Sequence, residues 1–273
     1  MSSMTASIYT GSLGSPRRRS RRLNGLRCKL TVACYGTLVI CALLSANWIF
    51  QVLRKPGEVL APISARFAKN PASTWQNYGR VFETYSTSIL SPEFLAALAQ
   101  VESNGNPIAS TYWRWQWSWN PLEIYRPASS ALGMYQITDG TFAEARRYCI
   151  RDHQVVTDGA WHDLNSCWFN TLYSRMIPSH AIELVAAYLH RSVVNTLALH
   201  PTVKVRLGEK QKLAAVIHLC GRSRGDAFVR RGFRIMPGER CGDHSIGRYL
   251  NQVELMKKRF KRLKAADGQL ING

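Results

Sequence analysis

From Leu30 to Leu53 the chain reads LTVACYGTLVICALLSANWIFQVL, 24 residues without a charge. As an α-helix rising about 1.5 Å per residue, this run spans about 36 Å, enough to cross a hydrocarbon core of about 30 Å. The apolar core of a cleavable signal is shorter, about 7–15 residues. Leu44-Ser45-Ala46 resembles a cleavage site only weakly, so the run reads as an uncleaved anchor. Seven basic residues and no acidic ones precede it: Arg17, Arg18, Arg19, Arg21, Arg22, Arg27 and Lys29. Positive charge on that flank keeps it in the cytoplasm and sends the rest of the chain outside the membrane.

The formal net charge of +19 and pI near 10.1 call for an anionic partner. Nucleic acid fits the charge but not the topology, because most of the basic surface lies beyond the membrane. The closing run KKRFKRLK reads as a solvated helix face for an anionic polymer or lipid headgroups. Export also changes the reading of cysteine. Cys28, Cys34 and Cys41 belong to the anchor, whereas Cys149, Cys167, Cys220 and Cys241 lie where disulfides persist. Two disulfides between sequence neighbours, Cys149–Cys167 and Cys220–Cys241, are expected. A zinc site on Cys241 and His244 matches no paired-ligand spacing, and no metal or cofactor is expected.

Five segments follow from composition. Residues 1–29 form a basic arm expected to be disordered, and 30–53 the anchor. Residues 54–74, punctuated by proline, read as a stalk holding the remainder off the bilayer; 75–264 form the globular domain and 265–273 a tail. Within the domain, helical spacing is expected in WQNYGRVFETYS. It is stronger in LSPEFLAALAQVES, where Ser91 caps, Pro92 enters the first turn, and Phe94, Leu95, Leu98 and Val101 form an apolar stripe. Asn104-Gly105-Asn106-Pro107 ends that helix. Further helices are expected at TFAEARRYCI, 171–176, 179–195, 209–219 and from Ile246 onward. Loops are expected around Trp161, Cys167 and Trp168 and from Gly221 to Gly242. The class is mainly α with a small β element.

That β element centres on TYWRWQWSWNP, residues 111–121, where Trp113, Trp115, Trp117 and Trp119 alternate with Arg114, Gln116 and Ser118. In a strand all four indoles share one face, with PLEIYRP as a partner. Such a row is either a packed wall or a platform for sugar rings. Trp113 and Trp115, closer in sequence to Glu102, are the candidates for sugar contact, and Trp117 and Trp119 for packing.

Glu102 sits on the last turn of the most apolar helix, where burial disfavours the carboxylate and raises its pKa. The negative end of the helix dipole pushes the same way. A carboxyl held protonated near neutrality can protonate a glycosidic oxygen.

Ala97-Leu98-Ala99-Gln100-Val101-Glu102-Ser103, then Asn106-Pro107 with Ala109, then Ser130-Ala131-Leu132-Gly133-Met134-Tyr135-Gln136-Ile137 and Thr141 resembles the catalytic domain of soluble lytic transglycosylases. Ala187-Tyr188-Leu189 and Arg248-Tyr249-Leu250-Asn251-Gln252-Val253 resemble that family's later helices. The resemblance covers about Leu90 to Phe260. It implies a lysozyme-like fold, peptidoglycan glycan strands as substrate, and Glu102 as the single acid/base. Ser103, Met134, Tyr135 and Gln136 would lie along the sugar subsites. The implied reaction cleaves the MurNAc–GlcNAc link and closes a 1,6-anhydro ring. With the anchor, it implies a single-pass protein of a bacterial inner membrane with a periplasmic domain, suited to a secretion or conjugation apparatus.

This chain departs from the family in two places. The connection between Glu102 and the Gly133 motif is lengthened by the tryptophan run. The family's Ala-Tyr-Asn-x-Gly segment reads Val216-Ile217-His218-Leu219-Cys220-Gly221 here, which puts His218 where a tyrosine faces the catalytic acid. Two other functions compete: a muramidase-type hydrolase pairing Glu102 with Glu123 (or, less readily, Asp139), and a non-catalytic peptidoglycan-binding scaffold. A conventional glycosidase needs its second carboxylate within about 5–9.5 Å.

Overall fold

The computed structural model describes residues 16–157, 159, 160, 162, 163 and 166–271. The disorder expected for residues 1–15 and the loop position of Trp161 lie outside them. Helix α1 runs from Pro16 to Arg54, so the arm expected to be disordered to residue 29 is helical from Pro16. Proline opens a helix well, arginine and leucine extend it well, and the apolar run already supplies the nucleus. The stretch Lys29–Arg54 is long and apolar enough to cross a membrane.

The expected stalk is not a spacer. Two 3-10 turns, Pro56–Leu60 and Ala65–Phe67, flank the short α2 (Ala61–Ser64); Gly57 backs onto Leu132, and Ser64 and Ala65 line one cavity with Glu102. The prolines open short helical turns here instead of stiffening an extended linker. Lys55 Nζ donates to the carbonyls of Ser129 and Ala131, each at 3.1 Å. Glu58 is fully buried, paired with Lys55 at 2.7 Å and accepting the Trp113 indole N–H at 2.9 Å. Further on, Asn106 Nδ2 donates to the Ser64 carbonyl at 2.7 Å, and Ser64 Oγ donates to the Ile108 carbonyl at 3.2 Å. Residues 55–68 therefore form a strap across the domain.

Beyond the strap, α3 (Pro71–Thr84) and α4 (Pro92–Ser103) each begin with proline after a capping side chain, Asn70 and Ser91 respectively. Helix α4 is buried all round from Phe94 to Gln100, so the expected stripe is in fact a whole apolar surface. It packs against α3 and against the terminal α9 (Ile246–Ile271). Around them close α6 (Pro178–Ala198) and α7 (Leu207–Cys220). Phe82, Leu98, Ile182, Phe228 and Phe260 fill the common core. Helix α9 continues through the segment expected to be a tail, where Ala265, Ala266, Gln269 and Leu270 favour helix.

Among the described residues, three antiparallel hairpins complete a mainly α fold. They pair β1 (Trp113–Trp115) with β2 (Tyr125–Pro127), β3 (Tyr148–Arg151) with β4 (Gln154–Thr157), and β5 (Arg240–Cys241) with β6 (His244–Ser245). The helix expected over TFAEARRYCI stops early: α5 covers Asp139–Ala145, and Tyr148–Arg151 enters the second hairpin. There Ile150 pairs with Val155 and Cys149 with Val156, β-branched partners that favour a strand. A 3-10 turn, Trp168–Leu172, takes the place of the helix expected at 171–176. Helix α8 (Arg222–Arg230) occupies the first half of the expected Gly221–Gly242 loop. Gly225, a residue type that disfavours helix, lies where an added Cβ would come within 2.5 Å of Ile217 Cγ1. Glycine there lets α8 approach α7 closely.

Cys149 and Cys167 form a disulfide. The second expected bridge is absent: Cys220 and Cys241 are free thiols in contact, with Cys241 Sγ donating to the Leu219 carbonyl at 3.3 Å. The bonded pair ties the β3 strand to the loop before the 3-10 turn across a separation of 18 residues. A loop of that length restrains the unfolded chain by about 3 kcal/mol. Replacing both Cys149 and Cys167 by alanine should lower unfolding free energy by about that amount in denaturant titration. The β3–β4 hairpin should lose amide protection first. Unchanged stability would show that the bridge restrains nothing the fold does not already hold.

Candidate active site

Glu102 projects from the last turn of α4, just before Asn104 takes the left-handed conformation (φ 54°) that ends the helix. The core fixes that end from one side. Ser103 fixes it from the other: its hydroxyl donates to the Met134 carbonyl at 2.8 Å and accepts the Asn106 N–H at 3.1 Å. Ser103 thus joins the end of α4 to the Gly133–Ile137 turn. That turn is tight, closed by Leu132 and Ile137 exchanging backbone hydrogen bonds at 3.2 and 3.0 Å. It needs glycine at position 133, where φ is +81° and a Cβ would sit 2.1 Å from the Arg175 carbonyl oxygen.

The turn divides its own side chains. Met134 and Tyr135 are fully buried, and the Tyr135 hydroxyl donates to the Leu95 carbonyl at 3.1 Å. Their expected place along the sugar subsites is therefore corrected: both side chains are spent on the core behind Glu102 and present no surface to a ligand. Gln136, with φ 50°, faces the other way and is half-buried, its amide donating to the carbonyls of Ala109 and Gly133.

Gln136 lines two cavities. One, about 530 Å³, has Glu102 and Ser103 on its floor and Tyr112 on one wall, and the strap supplies another wall through Ser64 and Ala68. The other, about 260 Å³, lies beside His218, Thr141 and Tyr188. Glu102 is the one carboxylate among the residues lining either cavity. Glu123 lies elsewhere, on the β1–β2 hairpin, held by Arg54 at 2.6 Å and Arg126 at 3.7 Å. Asp139 pairs with Arg175 at 2.8 Å.

The carboxylate is partnered from two helices. The Tyr249 hydroxyl on α9 donates to Glu102 Oε1 at 2.5 Å, and His218 Nε2 on α7 lies 3.4 Å from the same oxygen. Burial pushes the Glu102 pKa up, as its place on an apolar helix leads one to expect. The hydrogen bonds from His218 and Tyr249, with the charges of His218 and His244, outweigh it, and the carboxyl ends below its ordinary value. The expected net rise is thus reversed, because an acceptor oxygen with close donors is stabilised in its charged form. Tyr249 moves oppositely. Burial, then the neighbouring carboxylate, pushes its phenol well above the ordinary range, so it remains a donor.

Trp113 and Trp115 line neither cavity. The Trp113 indole N–H is held by Glu58, and both rings pack against Tyr125, at 5.3 and 4.8 Å. Regular strand covers Trp113–Trp115 alone; Trp117 and Trp119 lie in the hairpin tip, and the packing expected of them is absent. Sequence reasoning missed Tyr249 as a partner of Glu102, although the motif around it was visible. It also missed the strap, whose residues carry no pattern of their own. No group of three or more His, Cys, Asp or Glu side chains is placed to hold a metal among the described residues.

Residues 81–198 match the family model of the transglycosylase SLT domain, less than half of the chain. The matched stretch includes α4, the tryptophan hairpin, the Gly133 turn and α6, and it ends before His218 and Tyr249. No curated protein matches the chain significantly. With Glu102 at the end of a buried helix and the Gly133–Ile137 turn locked against it, the segment 81–198 is similar to the transglycosylase SLT domain.

Proposed function

We propose that this protein is a peptidoglycan lytic transglycosylase held at the inner membrane by α1, with Glu102 as its one acid/base. Its domain would act in the periplasm, and a wall-cleaving domain tethered there suits a secretion or conjugation apparatus that must pass the wall. The observation that carries the reading is the solitary carboxylate. Glu102 lines the cleft without a second acid, and Glu123 is engaged by two arginines away from it. A one-carboxylate site cannot run the two-carboxylate hydrolysis of ordinary glycosidases, but it can run an intramolecular transfer.

In that reaction the Glu102 carboxylic acid gives its proton to the glycosidic oxygen as the C1–O bond breaks. The sugar's own N-acetyl oxygen stabilises the electron-poor C1. The resulting Glu102 carboxylate then takes the proton of the C6 hydroxyl, whose oxygen bonds to C1 and closes the anhydro ring. No water is consumed, and Glu102 ends protonated as it began. Tyr249 and His218 favour the carboxylate, so they assist the second half and oppose the first. Both surround the acid from inside the fold, and Gln136 stands at the junction of the two cavities, where successive sugars would lie.

Two outcomes test this. Glu102→Gln, which keeps the shape but cannot exchange a proton, should reduce release of muropeptides from purified sacculi by about 10²–10⁴-fold, with the melting curve retained. Undiminished release would exclude Glu102 from the chemistry. The second concerns pH. Because the first step needs protonated Glu102, activity should fall as pH rises through the Glu102 pKa, which its donors hold low. Tyr249→Phe removes one such donor, so the alkaline limb of the pH–rate profile should move to higher pH. A limb that stays in place, or moves down, would show that the Tyr249 hydrogen bond does not set the protonation of Glu102.

A further inference from the structure

The β1–β2 hairpin displays three indoles, Trp115 at the end of β1 and Trp117 and Trp119 in the tip, exposed at 68, 89 and 95%. An indole is among the largest apolar surfaces a chain can offer, and adjacent exposed ones mark a surface that meets something. The cleft beside Glu102 is not what they meet, since none of them lines it.

Their position follows from how the hairpin is tied to α1. The Leu122 carbonyl accepts from Asn47 Nδ2 at 2.8 Å and from Gln51 Nε2 at 2.7 Å, and the Glu123 carboxylate meets Arg54 at 2.6 Å. Asn47, Gln51 and Arg54 follow a four-then-three spacing, so they share one face of the helix. The order of contacts gives a direction. Glu123 lies at Arg54, the end of α1, and Leu122 lies further back between Gln51 and Asn47. The hairpin chain, followed from Glu123 toward Trp119, therefore descends along α1 into its apolar stretch. Asn47 is six residues inside the last uncharged position, Leu53, or about 9 Å along the axis. At that depth α1 exposes Leu44, Trp48 and Ile49.

The same ties explain two amides in an apolar run. Asn47 and Gln51 are buried, and a polar group at membrane depth is tolerated when another group satisfies it. One hairpin carbonyl serves both. Trp is the residue enriched where hydrocarbon gives way to headgroups, and Arg54 and the exposed Arg114 stand nearby to meet anionic ones.

We infer that the tryptophan hairpin is a second membrane contact, with Trp117 and Trp119 immersed in the headgroup layer of the leaflet from which α1 emerges. This rests on the reading of α1 as a membrane-spanning anchor. With the strap, it would hold the Glu102 cleft at a fixed height and angle over the bilayer instead of on a swinging tether.

The test uses the full chain reconstituted into phosphatidylethanolamine–phosphatidylglycerol vesicles containing dibrominated phosphatidylcholine, which quenches indoles within the bilayer. Wild type should show strong quenching, and Trp117→Phe/Trp119→Phe should lose about two thirds of it, as two of the three bilayer-level indoles, the third being Trp48 of α1, would be gone. If that double variant is quenched by brominated lipid as much as wild type, while aqueous iodide reaches Trp117 and Trp119 in wild type, the inference is wrong. Protection of those two indoles from iodide by added glycan strands, without lipid quenching, would equally overturn it in favour of a sugar platform. Alkaline carbonate washing separates the underlying reading. Protein stripped from the vesicles would remove the anchor itself, whereas retained protein with iodide-accessible tip indoles would remove the hairpin contact alone.

Discussion

The burial of α4 on every face is the constraint from which the other features follow. A helix with apolar or small residues all round cannot lie on a surface; it has to be central, with α3 and α9 packed against it and α6 and α7 contributing to the same core. Its last turn is then the place where the core reaches a cleft. Glu102 and Ser103 stand on that turn, and the left-handed Asn104 ends the helix before it can bury them. Ser103 serves the architecture by holding the Gly133 turn against the helix end. Glu102 is left with one face toward the cavity and the other toward Tyr249 and His218.

Those two donors give the site its electrostatic character. Burial alone would make Glu102 a weak acid and a ready proton donor, whereas the donors from α7 and α9 draw it toward the carboxylate. The opposed influences leave it on the carboxylate side of its ordinary value. His218 also adds an influence that a tyrosine would lack, because its attraction for the carboxylate depends on its own charge. The last quarter of the chain, beyond the segment matching the family, therefore sets the electrostatics of a carboxylate that the matched segment positions.

Local signals were legible and remote ones were not. Ser91, Pro92 and the Asn104 stop delimit α4 because caps and breakers act within a few residues. The Glu-Ser pair and the Gly133 turn were readable because backbone conformation restricts which residues serve there. The strap was hidden, since Lys55 and Ser64 bind carbonyls on distant segments and a carbonyl leaves no trace in composition. Helix α8 was masked by Gly225, which reads as a breaker but is required by close packing on Ile217. The tryptophan row read as a strand along its full length. Only its base pairs with β2, and the tip goes where α1 takes it. The direction of the Glu102 pKa could not be read from α4, because the partners that decide it come from residues more than a hundred positions away.

The account stands or falls on what one carboxylate can do in a cleft that offers no second. Mass spectrometry of the fragments released from sacculi by the wild-type chain addresses this directly. Intramolecular closure predicts muropeptides ending in 1,6-anhydro-MurNAc, each lighter by one water than the hydrolysed fragment. Fragments ending in reducing MurNAc would mean that water attacks C1, and that the site has a second catalytic group which the arrangement around Glu102 does not provide.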